Sequence, residues 1–351
     1  MKINTLPTGY LFSDKYSRGD LETLSIGDYG KGHNVKADFL GYDRELHGVS
    51  NTECMPLSEK WVITLSTQFG CPQKCTFCDV PKLGYRGNAT LEDLNKQLYS
   101  AIGLFPSQRY CERMNIHYAR MGEPIYNDAV FEHAVWMYNN KRKLKEDLGL
   151  SIETLHPVMT TSLPKKFKKL ENNILRWCEI KNDVYNGQAG LQFSINSTCE
   201  EQRTEMYQGL QLSLEDLARI ADKMPEPVSR KYCLNFAYAT DYEVDGKRIA
   251  QLFDPEKFMC KITPIHNNSA CRENGIVTVD GYDSYLPYKK PEQSLVKEGF
   301  DVLVFIPSMD EEQGLVTCGN LTLTGSKVNV EQVINIKGYR RRYFVYKSIK
   351  R

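Results

Sequence analysis

Three cysteines stand in one short stretch, Gly70-Cys71-Pro72-Gln73-Lys74-Cys75-Thr76-Phe77-Cys78, with C-x3-C-x2-C spacing. Three thiolates presented from a single loop are a metal-binding arrangement. Zinc in a structural site takes four protein ligands, so a zinc reading needs a distant Cys or His to complete the set. An iron–sulfur cluster held by three cysteines instead leaves one iron open to a substrate or cofactor. The fourth ligand missing from the array favours the open cluster. None of Cys111, Cys178, Cys199 and Cys233 sits in ligand spacing with another, and these default to packing.

Other residues could carry chemistry. Gly122-Glu123-Pro124 follows a strand-like run; alone it would be an ordinary turn, but a strand end is where barrel active sites lie. Cys318, in Thr317-Cys318-Gly319-Asn320-Leu321, is either a nucleophilic sulfur or a buried small hydrophobe, the usual fate of a free cysteine. His117 and His266 read as hydrogen bonders, and no histidine-carboxylate motif indicates hydrolysis. The end of the chain, from Lys337 to Arg351, mixes basic and aromatic residues. It could grip a phosphate backbone and stack on bases, or form an edge strand protected by solvated charge.

The elements that must position these residues follow from the pattern. Trp61–Leu65 is a β-rich run before the cysteine loop. Thr90 then opens a helix with Leu91, Leu94, Leu98 and Ile102 at helical spacing and Asp93 placed for a capping box. Met114, Ile116 and Tyr118 alternate as a strand, and a helix around Val130–Met137 follows. Further strands are expected at 157–161, 190–195, 233–237, 258–265 and 302–305, with helices near 214–224 and 293–298. Strands alternating with helices imply an α/β chain with a parallel sheet, barrel-like or doubly wound. Glycines at 9, 19, 27, 30, 32, 41 and 48 break the first fifty residues into turns and short strands. Three regions result: a small appendage over 1–50, a core over 51–322 and a basic, aromatic extension over 323–351.

Composition sets the frame. The chain has 351 residues, 41% of them hydrophobic, enough for one large domain or two smaller ones. With 45 Lys+Arg against 44 Asp+Glu, net charge gives no global footprint for nucleic acid. No stretch approaches a membrane span, and Met1-Lys2-Ile3-Asn4 runs into polar sequence without a signal-peptide apolar region. Eleven cysteines without an export signal read as reduced thiols or metal ligands, which suits a reducing cytoplasm.

The cysteine array, with glycine before its first cysteine and an aromatic before its last, resembles the signature of the radical S-adenosylmethionine superfamily. That resemblance implies a partial (β/α)6 barrel, a [4Fe-4S] cluster on Cys71, Cys75 and Cys78, and Phe77 beside the cofactor. It also implies an electron donor such as flavodoxin or ferredoxin. In the superfamily the open iron chelates S-adenosyl-L-methionine, whose reductive cleavage gives a 5′-deoxyadenosyl radical, and Gly122-Glu123-Pro124 resembles the element that receives the cofactor's amino group. Further stretches from about Glu53 to Leu321 resemble the adenine-carbon methyltransferases of 23S ribosomal and transfer RNA and their florfenicol-resistance relatives: Thr64–Cys71, Ala119–Asn127, Phe193–Asn196 with Glu201 and Arg203, Cys260-Lys261-Ile262 leading to Asn268, and Thr317–Leu321. The resemblance implies that Thr160, Ser194, Ile195, Asn196 and Asn268 line the S-adenosylmethionine site, with Thr160 and Asn196 in place of a serine and a histidine. It further implies that Glu53 is the base and that Cys318 carries the methyl group to a nucleobase of RNA, tRNA or DNA or to a nucleotide.

Two departures qualify it. The second cysteine, which resolves the protein–substrate adduct through a disulfide, is Thr64 here, and a hydroxyl neither ionises readily nor forms a disulfide. Another thiol such as Cys54 or Cys271 would have to act, or the product be released differently. The alternative is a radical enzyme that does not methylate and works by hydrogen abstraction and rearrangement on a nucleotide or amino-acid-derived substrate. The first fifty residues also do not resemble the helical RNA-binding domain, which favours a smaller substrate than ribosomal RNA.

Overall fold

The computed structural model describes residues 1–6, 9–27, 35–36, 57–277, 285–305, 322–323, 330–336 and 339–345. Strand β1 (Lys2–Leu6), β2 (Gly9–Tyr16) and β3 (Gly19–Gly27) form an antiparallel meander, and β4 (Val35–Lys36) is a short edge piece. The αβ repeat then begins: β5 (Lys60–Leu65), α1 (Leu91–Gly103), β6 (Tyr110–Tyr118), α2 (Asp128–Asn139), α3 (Lys141–Leu148), β7 (Ser151–Thr161), α4 (Leu170–Glu179), β8 (Gly190–Ser194), α5 (Glu200–Tyr207), α6 (Leu214–Ala221), β9 (Tyr232–Tyr238), α7 (Gly246–Ala250), β10 (Phe258–Pro264), α8 (Ser269–Glu273), α9 (Lys289–Val296) and β11 (Val302–Phe305). An antiparallel pair, β12 (Val330–Ile336) and β13 (Tyr339–Val345), completes the described elements.

Strands β5 to β11 are mutually parallel and neighbour one another in chain order. A doubly wound sheet would reverse its order at a switch point; this one winds in a single direction, as a barrel wall does. Its ends do not meet. β5 is flanked by antiparallel β3 and β11 by antiparallel β4, so the wall is an open, partial barrel. The meander therefore continues the barrel sheet, and β13 adds to it in parallel beside β1.

Alternation along the strands fixes which way each residue points. On β5, Trp61, Ile63 and Leu65 are buried while Lys60, Val62 and Thr64 are half-buried. The buried set packs with Leu94 and Leu98 of α1, Phe131 of α2 and Trp177 of α4 in one core between sheet and helices. Helix α1 starts where its cap requires: Thr90 Oγ1 accepts from Asp93 N at 3.1 Å and Asp93 Oδ2 accepts from Thr90 N at 2.9 Å, a reciprocal arrangement worth about 1 kcal/mol.

The strands expected from alternation are present, with β7 beginning at Ser151 rather than Pro157. Its first residues include exposed Glu153 and Thr154, so the periodicity there carries no apolar signal. The last helix spans Lys289–Val296, starting earlier than the apolar residues alone indicate.

Below the barrel mouth a buried ion pair ties the meander to the barrel. Glu22 Oε2 of β3 accepts from Arg120 Nε at 3.1 Å and Nη2 at 2.8 Å, and Glu22 Oε1 accepts from Thr322 N at 2.7 Å. Removing one partner of such a pair strands a charge in the interior. Arg120→Met is therefore expected to lower unfolding free energy by about 3–5 kcal/mol in urea titrations, and Glu22→Leu combined with Arg120→Met to recover most of that loss. Buried imidazoles, His133 and His156 among them, set an acid limit. His133 and His156 are held down to about 3, His133 by burial and His156 by burial and then the Arg113 and Arg230 charges. The unfolded chain takes up protons first, so stability present at neutral pH is lost as pH falls below about 6.5, by up to about 1.4 kcal/mol per unit for each imidazole. Tyr118 Oη and His133 Nδ1 share a hydrogen bond at 2.7 Å, which His133→Gln can keep. Urea unfolding at pH 7, 6 and 5 should show a shallower decline in that variant.

Candidate active site at the barrel mouth

The loop between β5 and α1 carries the cysteine array and is closed on itself before it reaches them. Phe69 N donates to Gly87 O at 2.9 Å, Arg86 N to Phe69 O at 2.8 Å and Ala89 N to Thr67 O at 2.9 Å. Gly70 sits at this crossing with φ +79°, and a Cβ there would lie 1.6 Å from Gly84 O, so only glycine fits.

Past the crossing, neighbouring elements tie down the loop. Thr76 N and Oγ1 both donate to Met206 O of α5, at 2.9 and 3.2 Å. Asn274 Nδ2 donates to Thr76 O at 2.8 Å. Asn268 Nδ2 donates to Phe77 O at 2.8 Å while its Oδ1 accepts Cys271 N, capping α8. Asp79 Oδ1 accepts Ser269 Oγ at 2.5 Å and Ala270 N at 3.0 Å and pairs with Lys82. The Phe77 ring meets Tyr207 edge-on, centroids 5.4 Å apart.

Gly122 and Glu123 follow β6. Gly122 has φ +97°, and a Cβ would stand 2.5 Å from that of Gln68, whose Oε1 accepts Glu123 N at 2.8 Å. Glu123 is 3% exposed. Its carboxylate accepts Ser162 N and Oγ at 2.7 and 2.6 Å and Ile125 N at 3.2 Å. Burial raises its pKa above the usual carboxylate range, against the pull of these donors. The Cys75 thiol is pushed well up by burial, then by Cys71 and Glu123, and Tyr207 is raised by burial and then by Cys75. Cys71 and Glu123 follow β5 and β6, and Tyr207 ends α5.

The remaining candidates line the same end. Thr160 Oγ1, on β7, donates to Gln192 Oε1 at 3.2 Å. Ser194 ends β8, and its carbonyl accepts Gln211 Nε2 at 2.5 Å. Buried Ile195 gives its carbonyl to Arg203 Nη1 at 2.7 Å. Asn196 adopts φ +64°, which asparagine tolerates, and its side chain bridges Tyr207 Oη at 2.8 Å and Ala237 N at 3.0 Å. The structure therefore gathers Cys71, Cys75, Cys78, Phe77, Gly122, Glu123, Thr160, Ser194, Ile195, Asn196 and Asn268 at the C-terminal ends of the parallel strands, where barrel enzymes place their chemistry. Glu53, Cys54 and Cys318 lie outside the described residues.

Sequence reasoning passed over Gln68, Asp79, Ser162 and Tyr207, which hold the motif residues rather than belong to them. Only Asp79, adjoining Cys78, carried a signal of position.

The three array cysteines form no disulfide and are half-buried, and among the described residues no group of three Cys, His, Asp or Glu side chains is gathered in metal-holding geometry. Thiolates repel one another and converge around a cation rather than without one. The donor set itself, three soft sulfurs on a loop anchored on both flanks, fits an iron–sulfur cluster with one open iron. Asn268→Ala removes the donor to Phe77 O and the cap of α8 together. We expect it to retain several-fold less iron after anaerobic reconstitution while keeping its circular dichroism spectrum; unchanged iron content would show that the loop does not depend on this tie.

No protein-family model matches the chain. It is 23% identical over 208 residues to the probable dual-specificity RNA methyltransferase RlmN of Pseudothermotoga lettingae, covering 58% of this chain and 54% of that one. Over 153 residues it is 28% identical to the dual-specificity RNA methyltransferase RlmN of Sulfurimonas denitrificans, covering 44% and 38%. A 95-residue stretch is 35% identical to the corresponding protein of Chlorobium chlorochromatii, 26% of either chain. The chain thus spans about half the length of the first of these curated relatives, and less of the others. Among solved structures it is similar to a radical SAM methyltransferase from Sphaerobacter thermophilus, with TM-score 0.57 and 16% identity over 89% of this chain and 76% of that one. The chain shares its overall α/β fold with that structure.

Proposed function

We propose that the protein is a radical S-adenosylmethionine enzyme of the RNA adenine methyltransferase-like branch, transferring a one-carbon unit through Cys318 to a nucleobase of a nucleic acid or nucleotide. The observation that carries this reading is that the cysteine loop and the Gly122-Glu123 turn follow adjacent parallel strands, β5 and β6, and are tied together there, Glu123 N donating to Gln68 Oε1 at 2.8 Å and Gln73 Nε2 to Tyr126 Oη at 3.0 Å. Similarity to chains named RNA methyltransferases favours methyl transfer over the non-methylating alternative.

Cys71, Cys75 and Cys78 would hold the [4Fe-4S] cluster, with Glu123, Thr160, Ser194, Ile195, Asn196 and Asn268 around S-adenosyl-L-methionine. Bound together, the two groups would supply a methyl cation equivalent and a hydrogen-abstracting carbon radical. The chain's own contribution is positional. Ser162 and Ile125 fix the Glu123 carboxylate so that it can accept an ammonium donor without moving. Phe77 and Tyr207 close one side of the mouth with aromatic surface, excluding water that would quench a radical. Cys318 would offer the polarizable sulfur and Glu53 the base. A flavodoxin or ferredoxin would supply the electron.

Mass spectrometry of anaerobically reconstituted protein expressed with ample S-adenosylmethionine tests this. An added methyl on the Cys318 peptide, absent from Cys318→Ala, is the expected result. Cysteine 318 unmodified in a protein that still cleaves S-adenosylmethionine would overturn methyl carriage. Cys75→Ala is expected to abolish cleavage.

A further inference from the structure

Two consecutive residues at the end of α5, Met206 and Tyr207, reach two parts of the barrel mouth. The Met206 carbonyl accepts from Thr76 N at 2.9 Å and Oγ1 at 3.2 Å, and the Tyr207 ring meets that of Phe77 edge-on with centroids 5.4 Å apart. This helix end therefore grips the cysteine loop between Cys75 and Cys78. The Tyr207 hydroxyl meets the end of β8 instead. It accepts from Asn196 Nδ2 at 2.8 Å and donates to Ser194 O at 3.4 Å.

The β8 end needs such a support. Asn196 holds φ +64°, a backbone conformation that persists where the surroundings over-determine it. Its side chain is 1% exposed and engaged within the protein, Nδ2 on Tyr207 Oη and Oδ1 accepting Ala237 N at 3.0 Å. The carbonyl of Ile195 is taken by Arg203 Nη1 at 2.7 Å and that of Ser194 by Gln211 Nε2 at 2.5 Å. Ser194 differs from its neighbours, because it is half-buried and its hydroxyl has no hydrogen-bond partner among the described residues. Of the two polar side chains at this strand end, that of Ser194 is free to meet a ligand and that of Asn196 holds the backbone.

We propose that Tyr207 is a positioning residue that sets the two halves of the site in register. Through Asn196 its hydroxyl fixes the strand end that presents Ser194 to S-adenosylmethionine, and through Phe77 its ring holds the loop that carries the cluster cysteines. The proposal rests on the reading above and deepens it. The two contacts can be removed separately. Tyr207→Phe keeps the ring against Phe77 but leaves Asn196 Nδ2 buried without its acceptor, which costs more than the bond itself contributes. The strained turn then loses one of its restraints, and Ser194 moves with it. Tyr207→Ala removes the ring as well.

Iron content and S-adenosylmethionine affinity test it, both measured on the full chain after anaerobic reconstitution, the affinity by equilibrium dialysis and expressed per cluster. Tyr207→Phe should keep wild-type iron and bind the cofactor about tenfold more weakly, the scale of one buried donor left unpaired. Asn196→Gly keeps the left-handed backbone without the side chain. In that background Tyr207→Phe should add less than about twofold, since a residue that acts through another has no separate effect. Tyr207→Ala should retain several-fold less iron. A merely structural role would lower iron and affinity together in Tyr207→Phe and stay additive with Asn196→Gly. Circular dichroism confirms folding, and Tyr207→Met replaces the phenylalanine variant if that fails it. Wild-type affinity in Tyr207→Phe, a tenfold loss that persists in the Asn196→Gly background, or wild-type iron in Tyr207→Ala would overturn the proposal. Unsubstituted protein that holds no cluster, or holds one and binds no S-adenosylmethionine, would overturn the underlying reading and the proposal with it.

Discussion

A loop without regular structure cannot satisfy its own backbone, and buried peptide groups left unpaired cost as much as lost hydrogen bonds. That constraint governs the barrel mouth. The carbonyls of Thr76 and Phe77 are met by Asn274 and Asn268, and the amide of Thr76 by Met206, so the β5–α1 loop takes its shape from α5 and α8. Those helices follow β8 and β10, far along the chain. The cysteine array becomes a site only when the whole wall is assembled. Its geometry is a property of the barrel rather than of the motif.

The N-terminal meander belongs to the same construction. Glu22 stands on β3, yet its carboxylate holds Arg120, two residues before Gly122, and Ser66 Oγ donates to the Glu22 carbonyl at 2.5 Å just before the cysteine loop. Gln97 of α1 extends this belt, accepting from Thr23 Oγ1 and Ser66 N and donating to Ser66 O. Buried polar networks of this kind rigidify only when satisfied throughout. This one sets the height of both the Gly-Glu-Pro turn and the cysteine loop relative to the sheet. Because Thr322 N also donates to Glu22, the chain emerging after Leu321 is referenced to the same carboxylate.

What could be read from sequence follows from how each element is stabilised. Strands buried on one face and half-open on the other alternate plainly, and β5, β9, β10 and β11 fall within a residue or so of expectation. Helix α3, Lys141–Leu148, buries one leucine and rests on charge pairs, and α5 buries Arg203, Met206 and Tyr207 in an otherwise charged stretch; neither shows an apolar stripe. Helix α4 did carry one, with Leu170, Ile174, Trp177 and Cys178 at helical spacing, and its signal went unused. At the mouth, glycine and cysteine spacing mark the positions proposed to hold the cluster and its cofactor. Ser162 and Tyr207 act through tertiary proximity, which leaves no periodic trace.

Thr64 tightens the chemistry that remains open to the protein. Its Oγ1 is buried with no hydrogen-bond partner among the described residues, on the inward face beside His117. A hydroxyl there cannot take the part of a resolving thiol. Cys271 is poorly suited to substitute. It is fully buried, its Sγ lies 3.7 Å from Phe77 O, and burial pushes its pKa up to about 11, so little of the reactive thiolate exists near neutrality. Freeing it would also expose the apolar cluster it shares with Ala239 and Ile265. If Cys318 forms an adduct, its release then falls to Cys54 or to a route that needs no second thiol.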